Sequence, residues 1–496
     1  MHNRNETMLI DFYEFTMANG YFEHGFKNQT VVFDLFFRSL PDQGGYAVMA
    51  GLQSVIDYIE NLSFTEEDIA YLRNRDIFDE RFLDYLKTFR FTGDMYAMPE
   101  GTVIFPNEPL ITVKAPIIEA QLIETFLLLS VNHQSLIATK ASRLKFAAGN
   151  KTVIEMGARR AHGASSANLG ARAAYIGGID ATSNTYADRH LQIPAAGTMA
   201  HSWIQLFDSE KAAFEAYAKS YPKQCTFLVD TYDTLKSGVP NAIEVIKDIL
   251  IPQGVEHYAI RIDSGDLTYL AKRARAMLDE AGLKSCKIVA SNALDERLIK
   301  ALINQGAPID TFGVGERLIT AKSDPVFGGV YKLVATEKDG FIVPKIKISD
   351  NPKKITTPHF KQVMRIYEKG SSKACADLLM VHDESIDTSK PLTIFNPEHT
   401  WQKTTFTDYT VKPLLKPVYQ AGKCVYDSPS IAEIRDYAKQ ELQSLWDEMK
   451  RFDYPHQYFV DLSKKLWHVK MDLIAEHKNG VASSGPPNMA SMRHDE

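Results

Sequence analysis

From about residue 151 onward, the chain alternates short apolar runs with helical stretches, and this alternation limits the possible folds more than any other feature of the sequence. The apolar runs lie at 151–160, 173–184, 192–202, 225–234, 257–266, 286–294, 309–318 and 328–337. Stretches with apolar residues at about every 3.6 positions, which is typical of helices, separate several of them: 211–222, 241–251, 267–283 and 294–306. A repeated pair of buried strand and helix indicates parallel β/α units. Roughly seven or eight units predict an α/β fold with a (β/α)8-type barrel.

Most of the apolar runs end in a polar or glycine-rich cluster. In a barrel of this type the functional site lies at the C-terminal ends of the strands, in the loops that follow them. We therefore expect the polar clusters to meet at one end of the barrel and to form the site.

The length of 496 residues predicts at least two domains, because single cores stop growing at about 250–300 residues. Residues 117–149 are expected to form one long helix, or two abutting helices, that could link two domains. The strand-like region after 338 is expected to complete the sheet of the N-terminal domain or to form a small β subdomain. The predicted division is an N-terminal α/β domain (1–135), the barrel (136–337), the return strands (338–429), a C-terminal helical segment (430–477) and a disordered tail (478–496).

Charge and composition argue against several classes of protein. The formal net charge is −6 and the sequence pI is about 6.2, so no basic face for nucleic acid is expected. The four cysteines form no CxxC pair, which argues against a zinc site or a disulfide framework. No apolar signal region follows the N-terminus, and the most apolar run, at 122–131, is too short to span a bilayer. We expect a cytoplasmic protein that binds neither nucleic acid nor membranes.

Three arginines lie near the C-terminal ends of the apolar runs: Arg159, Arg160 and Arg261. A guanidinium group that points into a barrel mouth needs an anionic partner, because an unpaired buried charge is costly. The partner is either a carboxylate of the protein, such as Glu155, Asp263 or Asp266, or an anionic ligand. Three arginines beside one predicted mouth favour the ligand.

Two carboxylates, Asp230 and Asp263, follow successive strands within the sequences DTYD and DSGD. Carboxylates at this position can hold ribose hydroxyls, bind Mg²⁺ through their oxygens or stabilise a cationic sugar. The alternative role is to cap the N-terminus of the following helix. We expect Asp266 or Ser264 to be the cap and Asp263 to be the functional group.

Glycines and one histidine complete the candidate residues. Gly313 and Gly315, in FGVGE, permit the backbone to approach a phosphate closely at the end of a late strand. His201, in GTMAHS, is a base, a nucleophile or a hydrogen-bonded core residue. No Walker A pattern occurs, so any use of ATP does not depend on a P-loop.

Eight segments, in the same order along the chain, resemble those of nicotinate phosphoribosyltransferases. They are DFYEFTMANGYF (11–22), EMGARRAHG (155–163), GGIDATSN (177–184), GTMAHSW (197–203), LVDTYDT (228–234), RIDSGDL (261–267), ASNALDE (290–296) and FGVGERL (312–318). The resemblance covers about residues 8–335 and is less distinctive in the C-terminal third. It implies an irregular α/β barrel joined to a sandwich-like α/β domain that N-terminal and later segments build together.

The resemblance also implies a reaction, the first step of NAD salvage from nicotinate. Nicotinate attacks C1′ of 5-phosphoribosyl 1-diphosphate, which gives nicotinate mononucleotide and diphosphate, with Mg²⁺ as cofactor and ATP as co-substrate. ATP hydrolysis of the ligase type is coupled to the transfer through a transient phosphohistidine at His201. The resemblance further implies a homodimer, in which Tyr13 reaches the active site of the partner subunit and stacks on the pyridine ring.

Matching positions in the motifs give further expectations for single residues. Arg159 and Arg261 are expected at the anionic substrates, and an arginine that faces the carboxylate would favour nicotinate over neutral nicotinamide. The pyridine nitrogen needs no strong general base, and Asp263 or Asp230 would stabilise the oxocarbenium-like ribose. The other substrate-lining positions are Thr198, Ser202, Asp230, Asn292, Gly313 and Gly315.

Three alternative functions remain open at this point. A nicotinamide phosphoribosyltransferase has a similar size and barrel, although the GARRAHG and GTMAHS segments favour the nicotinate enzyme. A sugar-phosphate aldolase or isomerase would need a lysine or paired acids at the strand ends, and the runs above lack such a lysine. A scaffold that only binds metabolites is disfavoured by the density of Arg, Asp and His at one predicted mouth.

Overall fold

A computed structural model describes residues 5–478. The predicted disordered tail at 478–496 lies outside the described residues except for its first position. The chain forms two compact units. Unit 1 comprises the described residues up to Ser135, Val326–Ser430 and the described residues from Tyr437 onward; unit 2 comprises Leu136–Pro325 and Ile431–Asp436. Within residues 5–478 no helix combines the length and the apolar character that a membrane crossing requires.

The helices and strands follow one another throughout both units. The helices are α1 (Phe12–Glu23), α2 (Leu52–Asn61), α3 (Glu66–Arg73), α4 (Glu80–Lys87), α5 (Ile117–Leu122), α6 (Glu124–Ala148), α7 (Ala164–Ile176), α8 (Thr185–Leu191), α9 (His201–Leu206), α10 (Glu210–Ser220), α11 (Val239–Val245), α12 (Leu267–Glu280), α13 (Glu296–Asn304), α14 (Glu316–Ile319), α15 (Ile431–Ser444) and α16 (Lys464–Lys478). The strands are β1 (Thr30–Phe37), β2 (Ala47–Val48), β3 (Asp94–Ala97), β4 (Val103–Ile104), β5 (Ile111–Pro116), β6 (Thr152–Glu155), β7 (Ala181–Thr182), β8 (Cys225–Leu228), β9 (Tyr258–Ile262), β10 (Lys287–Ser291), β11 (Thr311–Val314), β12 (Gly329–Lys338), β13 (Phe341–Pro344), β14 (Lys361–Glu368), β15 (Ala374–Val381), β16 (Leu392–Phe395), β17 (Lys403–Phe406), β18 (Tyr409–Pro413), β19 (Lys416–Gln420), β20 (Lys423–Cys424) and β21 (Phe459–Leu462). The segment at 117–149 is thus two abutting helices, α5 and α6, and the division between the units falls within α6.

Unit 2 is built on a six-stranded parallel sheet with the strand order β7-β6-β11-β10-β9-β8. Most residues of β9, β10 and β11 are buried, as expected for a parallel sheet that helices cover on its faces. β11 pairs with β6, so the last strand of the unit lies beside the first. A single parallel bridge joins Thr182 of β7 to Ala195.

The parallel β/α arrangement agrees with the sequence prediction, but the described residues do not form an eight-stranded barrel. Residues 173–176 belong to the end of α7, and only Ala181–Thr182 of that run is a strand. The run at 192–202 makes one bridge only, because Pro194 has no N–H to donate and α9 already begins at His201. Residues 328–337 were predicted as the last strand of the barrel. This prediction is wrong, because the strand found there, β12, pairs with β1 in unit 1.

The helices predicted between the strands of unit 2 are confirmed as α10, α11, α12 and α13, and side-chain caps explain where two of them begin. The Asp266 carboxylate accepts the N–H of Tyr269 at 3.0 Å in the first turn of α12. Asp295 accepts the N–H of Leu298 at 2.8 Å at the start of α13. Each cap satisfies a backbone donor that the helix itself leaves unpaired. Asp266 therefore has the capping role expected for it.

Unit 1 contains a seven-stranded sheet with the order β13-β12-β1-β5-β3-β19-β20. β1 lies inside this sheet, buried along nearly its whole length, between β5 from the N-terminal part of the chain and β12 from beyond residue 325. A four-stranded sheet has the order β18-β14-β15-β21. The region after 338 therefore contributes strands to the large sheet and also forms a sheet of its own, which combines the two predicted alternatives.

A fully buried arginine, Arg365 on β14, lies at the centre of a polar network in unit 1. Its guanidinium donates two hydrogen bonds to Asp377, at 2.8 and 2.6 Å, one to Glu441 at 2.9 Å and one to the carbonyl of Val103 at 2.8 Å. The Tyr458 hydroxyl donates to the same Asp377 carboxylate at 2.9 Å. Charges can be buried in this way only because every partner is present, since desolvation of an unpaired ion is strongly unfavourable.

Replacing Arg365 by Met is expected to destabilise the protein by about 3–5 kcal/mol, because it leaves the buried Asp377 carboxylate without its cation. Thermal unfolding followed by circular dichroism measures the effect. Lys465→Ala is the control, since it removes an exposed ion pair to Asp383 that is expected to contribute about 0–1 kcal/mol. Equal unfolding midpoints for the two variants would contradict the assigned role of Arg365.

Candidate active site at the strand ends of the parallel sheet

The pairing of the strands in unit 2 brings their C-terminal ends to one edge. Glu155 at the end of β6 is in register with Val314 of β11, and Gly313 is in register with Ser291 at the end of β10. On β9, Ile262 is in register with Ala290 of β10. The loops after these strands therefore begin at the same level, as expected for the site of a parallel sheet.

Arg261 points from β9 into a set of partners on three different segments. Its Nε donates to Ser291 Oγ at 2.9 Å, its Nη1 to Thr198 Oγ1 at 2.9 Å and its Nη2 to Asp263 Oδ1 at 3.1 Å. Only 14% of its side chain is exposed. A carboxylate of the protein was one predicted partner of Arg261, and Asp263 is that carboxylate. The three hydrogen bonds use three of the five guanidinium N–H groups and leave two for other acceptors.

Two carboxylates follow β8 and β9 in direct contact with the same loop. Asp230 Oδ2 accepts the backbone N–H of Asp263 at 3.1 Å and the hydroxyl of Ser264 at 2.5 Å. Asp230 Oδ1 is buried and accepts no hydrogen bond from the described residues. A buried carboxylate oxygen without a donor is unfavourable, so the second oxygen of Asp230 is available to a cation or to a ligand hydroxyl.

His201 begins α9 and faces this group of residues. Its Nδ1 lies 3.0 Å from Thr231 Oγ1, and its Nε2 lies 3.9 Å from Asp263 Oδ2. The imidazole side chain is 41% exposed. His201 is therefore oriented by a hydroxyl and a carboxylate while remaining open to solvent, unlike a histidine that serves only to fill a core.

The two arginines after β6 lie on an exposed turn. Arg159 and Arg160 form the end of a short 3-10 turn, Ala158–Arg160, with no buried residue. No ion pair or hydrogen bond connects the Arg159 guanidinium to another described residue. Arg160 is close enough to Glu316 to help lower the pKa of that carboxyl, although Lys322 is the main cause. Arg159 is therefore a predicted site arginine that is exposed to solvent and has no charged partner among the described residues.

Both predicted glycines line the end of β11. A Cβ atom on Gly313 would lie 2.7 Å from Met156 Sδ and 3.3 Å from Ser291 Cβ. Gly315 has φ −115° and ψ −107° at the start of α14, and a Cβ there would lie 3.3 Å from the Met156 carbonyl oxygen. The absence of side chains at these positions makes room for the loop after β6 and for the Ser291 side chain.

The remaining predicted residues differ in their positions. Asn292 follows β10 with φ 99°, a strained left-handed conformation that Asn tolerates better than most residues. Ser202 lies in the first turn of α9 and is exposed. Tyr13 does not belong to unit 2: it lies on α1 of unit 1, where 47% of its surface is exposed.

Two residues of this region, Ser291 and Thr231, were not among the candidates from the sequence, and a third, Glu155, was considered only as a partner for an arginine. Ser291 bonds to both Arg261 and Asp263, and Thr231 bonds to His201. The third, Glu155, is fully buried at the end of β6, where it accepts the Thr182 hydroxyl at 2.6 Å and the N–H of Gly157. Burial raises the pKa of this carboxyl, while its two hydrogen-bond donors lower it. Ser291 and Thr231 lie inside the motifs already noted, but serine and threonine are too common at strand ends to stand out.

Other parts of the described chain are weaker candidates for a functional site. Within residues 5–478 no three His, Cys, Asp or Glu side chains converge as a metal cluster. A cavity of about 900 Å³ lies at the opposite ends of β8, β9 and β10, where Cys225, Tyr258 and Lys287 line it. None of the predicted site residues lines that cavity, so its size does not make it the better candidate.

Comparison with known proteins identifies one family. Models of the nicotinate phosphoribosyltransferase (NAPRTase) N-terminal domain and of the nicotinate phosphoribosyltransferase C-terminal domain match residues 8–132 and 360–470. A Bacillus subtilis (strain 168) protein named nicotinate phosphoribosyltransferase is 46% identical over 475 residues, and the match covers 96% of this chain and 96% of the relative. This match includes the segments that build the candidate site.

Solved structures agree with that comparison. The crystal structure of human nicotinic acid phosphoribosyltransferase gives a TM-score of 0.81 at 29% identity and covers 94% of this chain and 100% of the human chain. The nicotinate-nucleotide pyrophosphorylase of Pyrococcus furiosus gives a TM-score of 0.69 at 24% identity, with 90% and 97% covered. The second match supports the fold alone, because its identity is too low to bear on the reaction.

The raised pKa of Glu155 predicts a pH-dependent effect of Glu155→Gln. Between the ordinary Glu pKa of about 4.3 and its raised value, the folded protein holds a proton that the unfolded chain releases, so wild-type stability falls as pH rises. Gln cannot titrate, so the unfolding midpoint of the variant relative to wild type should increase as the pH rises above the ordinary Glu pKa. Thermal unfolding at several pH values measures this difference, with the exposed Glu280→Gln as control. If the difference in unfolding midpoint between Glu155→Gln and wild type does not change with pH, the raised pKa of Glu155 is refuted.

Proposed function

Because the chain belongs to the nicotinate phosphoribosyltransferase family, we propose that it makes nicotinate mononucleotide from nicotinate and 5-phosphoribosyl 1-diphosphate, the first step of NAD salvage from nicotinate. The observation that carries the proposal is the 46% identity over 96% of both chains, which includes every segment of the candidate site. The site itself supports it, since Arg261, the carboxylates Asp230 and Asp263 and His201 lie together at the strand ends.

In this reaction the pyridine nitrogen of nicotinate attacks C1′ of the ribose. The bond from C1′ to the diphosphate oxygen breaks, diphosphate leaves with the bonding electron pair, and the nitrogen becomes a pyridinium. No proton has to be removed from the nucleophile, so no strong general base is needed. The reaction instead requires groups that bind anions and groups that stabilise positive charge at C1′.

The arginines supply the anion binding. Arg159 has no protein partner among the described residues, so its full guanidinium is available to a carboxylate or a phosphate. Arg261 is fixed by Thr198, Asp263 and Ser291 and presents its remaining N–H groups in a defined direction. A preorganised cation loses little on binding, which favours it as the group that holds the reacting end of the substrate.

Asp263 is the proposed stabiliser of the cationic ribose, and Ser202, Asn292, Gly313 and Gly315 are proposed to line the substrate. Asp263 Oδ1 is occupied by Arg261 and Ser291, whereas Oδ2 faces His201 and the solvent-open region. One oxygen therefore holds the side chain in place while the other is free to interact with the sugar. Asp230 anchors the backbone of Asp263 and thereby supports the same geometry.

Mg²⁺ fits this site as a partner of the diphosphate rather than as a metal held by the protein alone. Mg²⁺ is commonly bound by one or two carboxylates together with substrate phosphates, and it prefers oxygen ligands. Asp230, with its unpaired Oδ1, is the proposed ligand. When bound, the ion neutralises charge on the diphosphate and makes it a better leaving group.

ATP is the proposed co-substrate, and His201 is the proposed phosphate acceptor. A ring nitrogen of His201 attacks the γ-phosphorus of ATP, the bond to the bridging oxygen breaks and ADP leaves; water later cleaves the phosphorus–nitrogen bond and releases phosphate. Thr231 and Asp263 orient the imidazole for this attack, and its exposure leaves room for a phosphoryl group. The reaction is then of the ATP-hydrolysing, ligase type.

A homodimer is proposed in which Tyr13 completes the site of the partner subunit. Tyr13 lies on an exposed face of α1 together with Met17, one turn further along the helix, which is 37% exposed. Exposed apolar and aromatic side chains on one helix face are typical of protein interfaces. In the assembly, the phenol ring would stack on the pyridine ring of the substrate.

The proposed reaction predicts a strong preference for nicotinate over nicotinamide. Because a site built for a carboxylate leaves its own cation unpaired with a neutral analogue, kcat/KM should be higher for nicotinate by at least about 100-fold. Purified protein is assayed with each base, 5-phosphoribosyl 1-diphosphate, ATP and Mg²⁺, and the mononucleotides are separated by chromatography. Omission of the diphosphate sugar is the control, and a preference for nicotinamide would refute the proposal.

His201→Ala is expected to lose the acid-labile, base-stable phosphate that γ-labelled ATP deposits on wild type. The variant should retain some transfer without ATP, because the groups that bind the substrates remain. His190→Ala, which alters an exposed histidine on α8, is the control and should be labelled as wild type is. Full labelling of His201→Ala would assign the phosphate to another residue.

The role of Tyr13 is tested by complementation between two variants that are each expected to have lost ATP-coupled activity. Tyr13→Ala and His201→Ala proteins are mixed under conditions of proven subunit exchange, and nicotinate mononucleotide formation is measured. A shared site predicts partial recovery, because a mixed dimer contains one site with both residues intact. Absence of recovery would show that Tyr13 does not serve the partner's site.

A further inference from the structure

We infer that Ser291 is a positioning residue that fixes the relative orientation of Arg261 and Asp263. Its hydroxyl is the only described group that bonds to both: it accepts from Arg261 Nε at 2.9 Å and donates to Asp263 Oδ1. The inference rests on the proposed function, because it assigns Ser291 to the same reaction.

The three side chains form a closed triangle. Arg261 Nη2 also donates to Asp263 Oδ1 at 3.1 Å, so the carboxylate oxygen receives one bond from the arginine and one from the serine. Without the hydroxyl, the arginine and carboxylate would still attract one another, but a single contact permits rotation of both groups. Hydrogen bonds from both groups to a third residue, Ser291, restrict that rotation.

The backbone explains why a serine can reach this position. Ser291 is the last residue of β10, in register with Gly313 of β11, and is only 4% exposed. A side chain on Gly313 would begin 3.3 Å from Ser291 Cβ and compete for the same space. The glycine therefore makes room for the hydroxyl beside Arg261, which links the FGVGE segment to the arrangement of the charged groups.

The consequence for the site concerns the second oxygen of Asp263. With Oδ1 held by Ser291 and Arg261, Oδ2 is directed toward His201 Nε2, 3.9 Å away. Without the serine hydroxyl the Asp263 carboxylate can rotate, so that Oδ2 is no longer held toward His201 Nε2. Displacement of a reacting group by about 1 Å is enough to reduce turnover by about 100-fold.

A double-mutant cycle tests the inference. Ser291→Ala should lower kcat/KM for nicotinate by about 10- to 100-fold, whereas in an Asp263→Ala background, which lacks the carboxylate acceptor, the same change should cost less than about 3-fold. Ser291→Thr, which keeps the hydroxyl, should restore most of the activity. The thermal midpoint of Ser291→Ala should stay within about 4 °C of wild type if no more than about 1 kcal/mol of stability is lost.

The outcomes separate the two proposals. A wild-type protein without nicotinate-dependent activity refutes the proposed function, and the role of Ser291 with it. An active wild type with equal losses in both backgrounds, or no rescue by Ser291→Thr, overturns the role of Ser291 alone. If Ser291→Ala does not fold, Ser291→Cys replaces it, since a thiol of similar size forms only weak hydrogen bonds and should show the same kinetic loss.

Discussion

The pairing of β11 with β6 is the constraint on which the candidate site depends. It places the last parallel strand of unit 2 beside the first, so that Glu155 and Gly313, far apart in sequence, lie at the same edge of one sheet. The turn with Arg159 then follows β6 directly, and the loops after β9 and β10 lie on the other side of β11. A slip of one position between these strands would turn every side chain of one strand to the opposite face.

The charges at this edge are arranged so that some are satisfied by the protein and others are not. Arg261 and Asp263 neutralise each other and are held by hydroxyl groups, which makes them a rigid pair. Arg159 and Asp230 Oδ1 have no described partner and are therefore available to a ligand of opposite charge. Arg261 and Asp263 therefore hold each other in one orientation, whereas Arg159 and Asp230 are available to bind a ligand. An anionic substrate that reacts through a cationic transition state requires groups of both kinds.

The sequence predicted the parallel strands and helices of unit 2 and the residues that follow the strands, because apolar runs and caps are local signals. It did not predict that residues 192–202 make a single bridge or that β12 joins β1, since pairing is decided by partners distant in the chain. The same reason hid Ser291 and Thr231, because each is defined by a hydrogen bond to a residue 30 positions away in the chain. His201 and Arg261 could be predicted as candidates because their residue types are chemically distinctive within the motifs.

The pairing of β1 with β12 has a consequence for the order in which the protein can fold during synthesis. β1 emerges from the ribosome early, but its neighbour in the large sheet follows about 300 residues later. Nearly all of unit 2 lies between them in one continuous stretch, so it can complete its sheet while β1 still has an open edge. For that interval β1, an apolar strand, has an unpaired edge of the kind that promotes pairing with other chains.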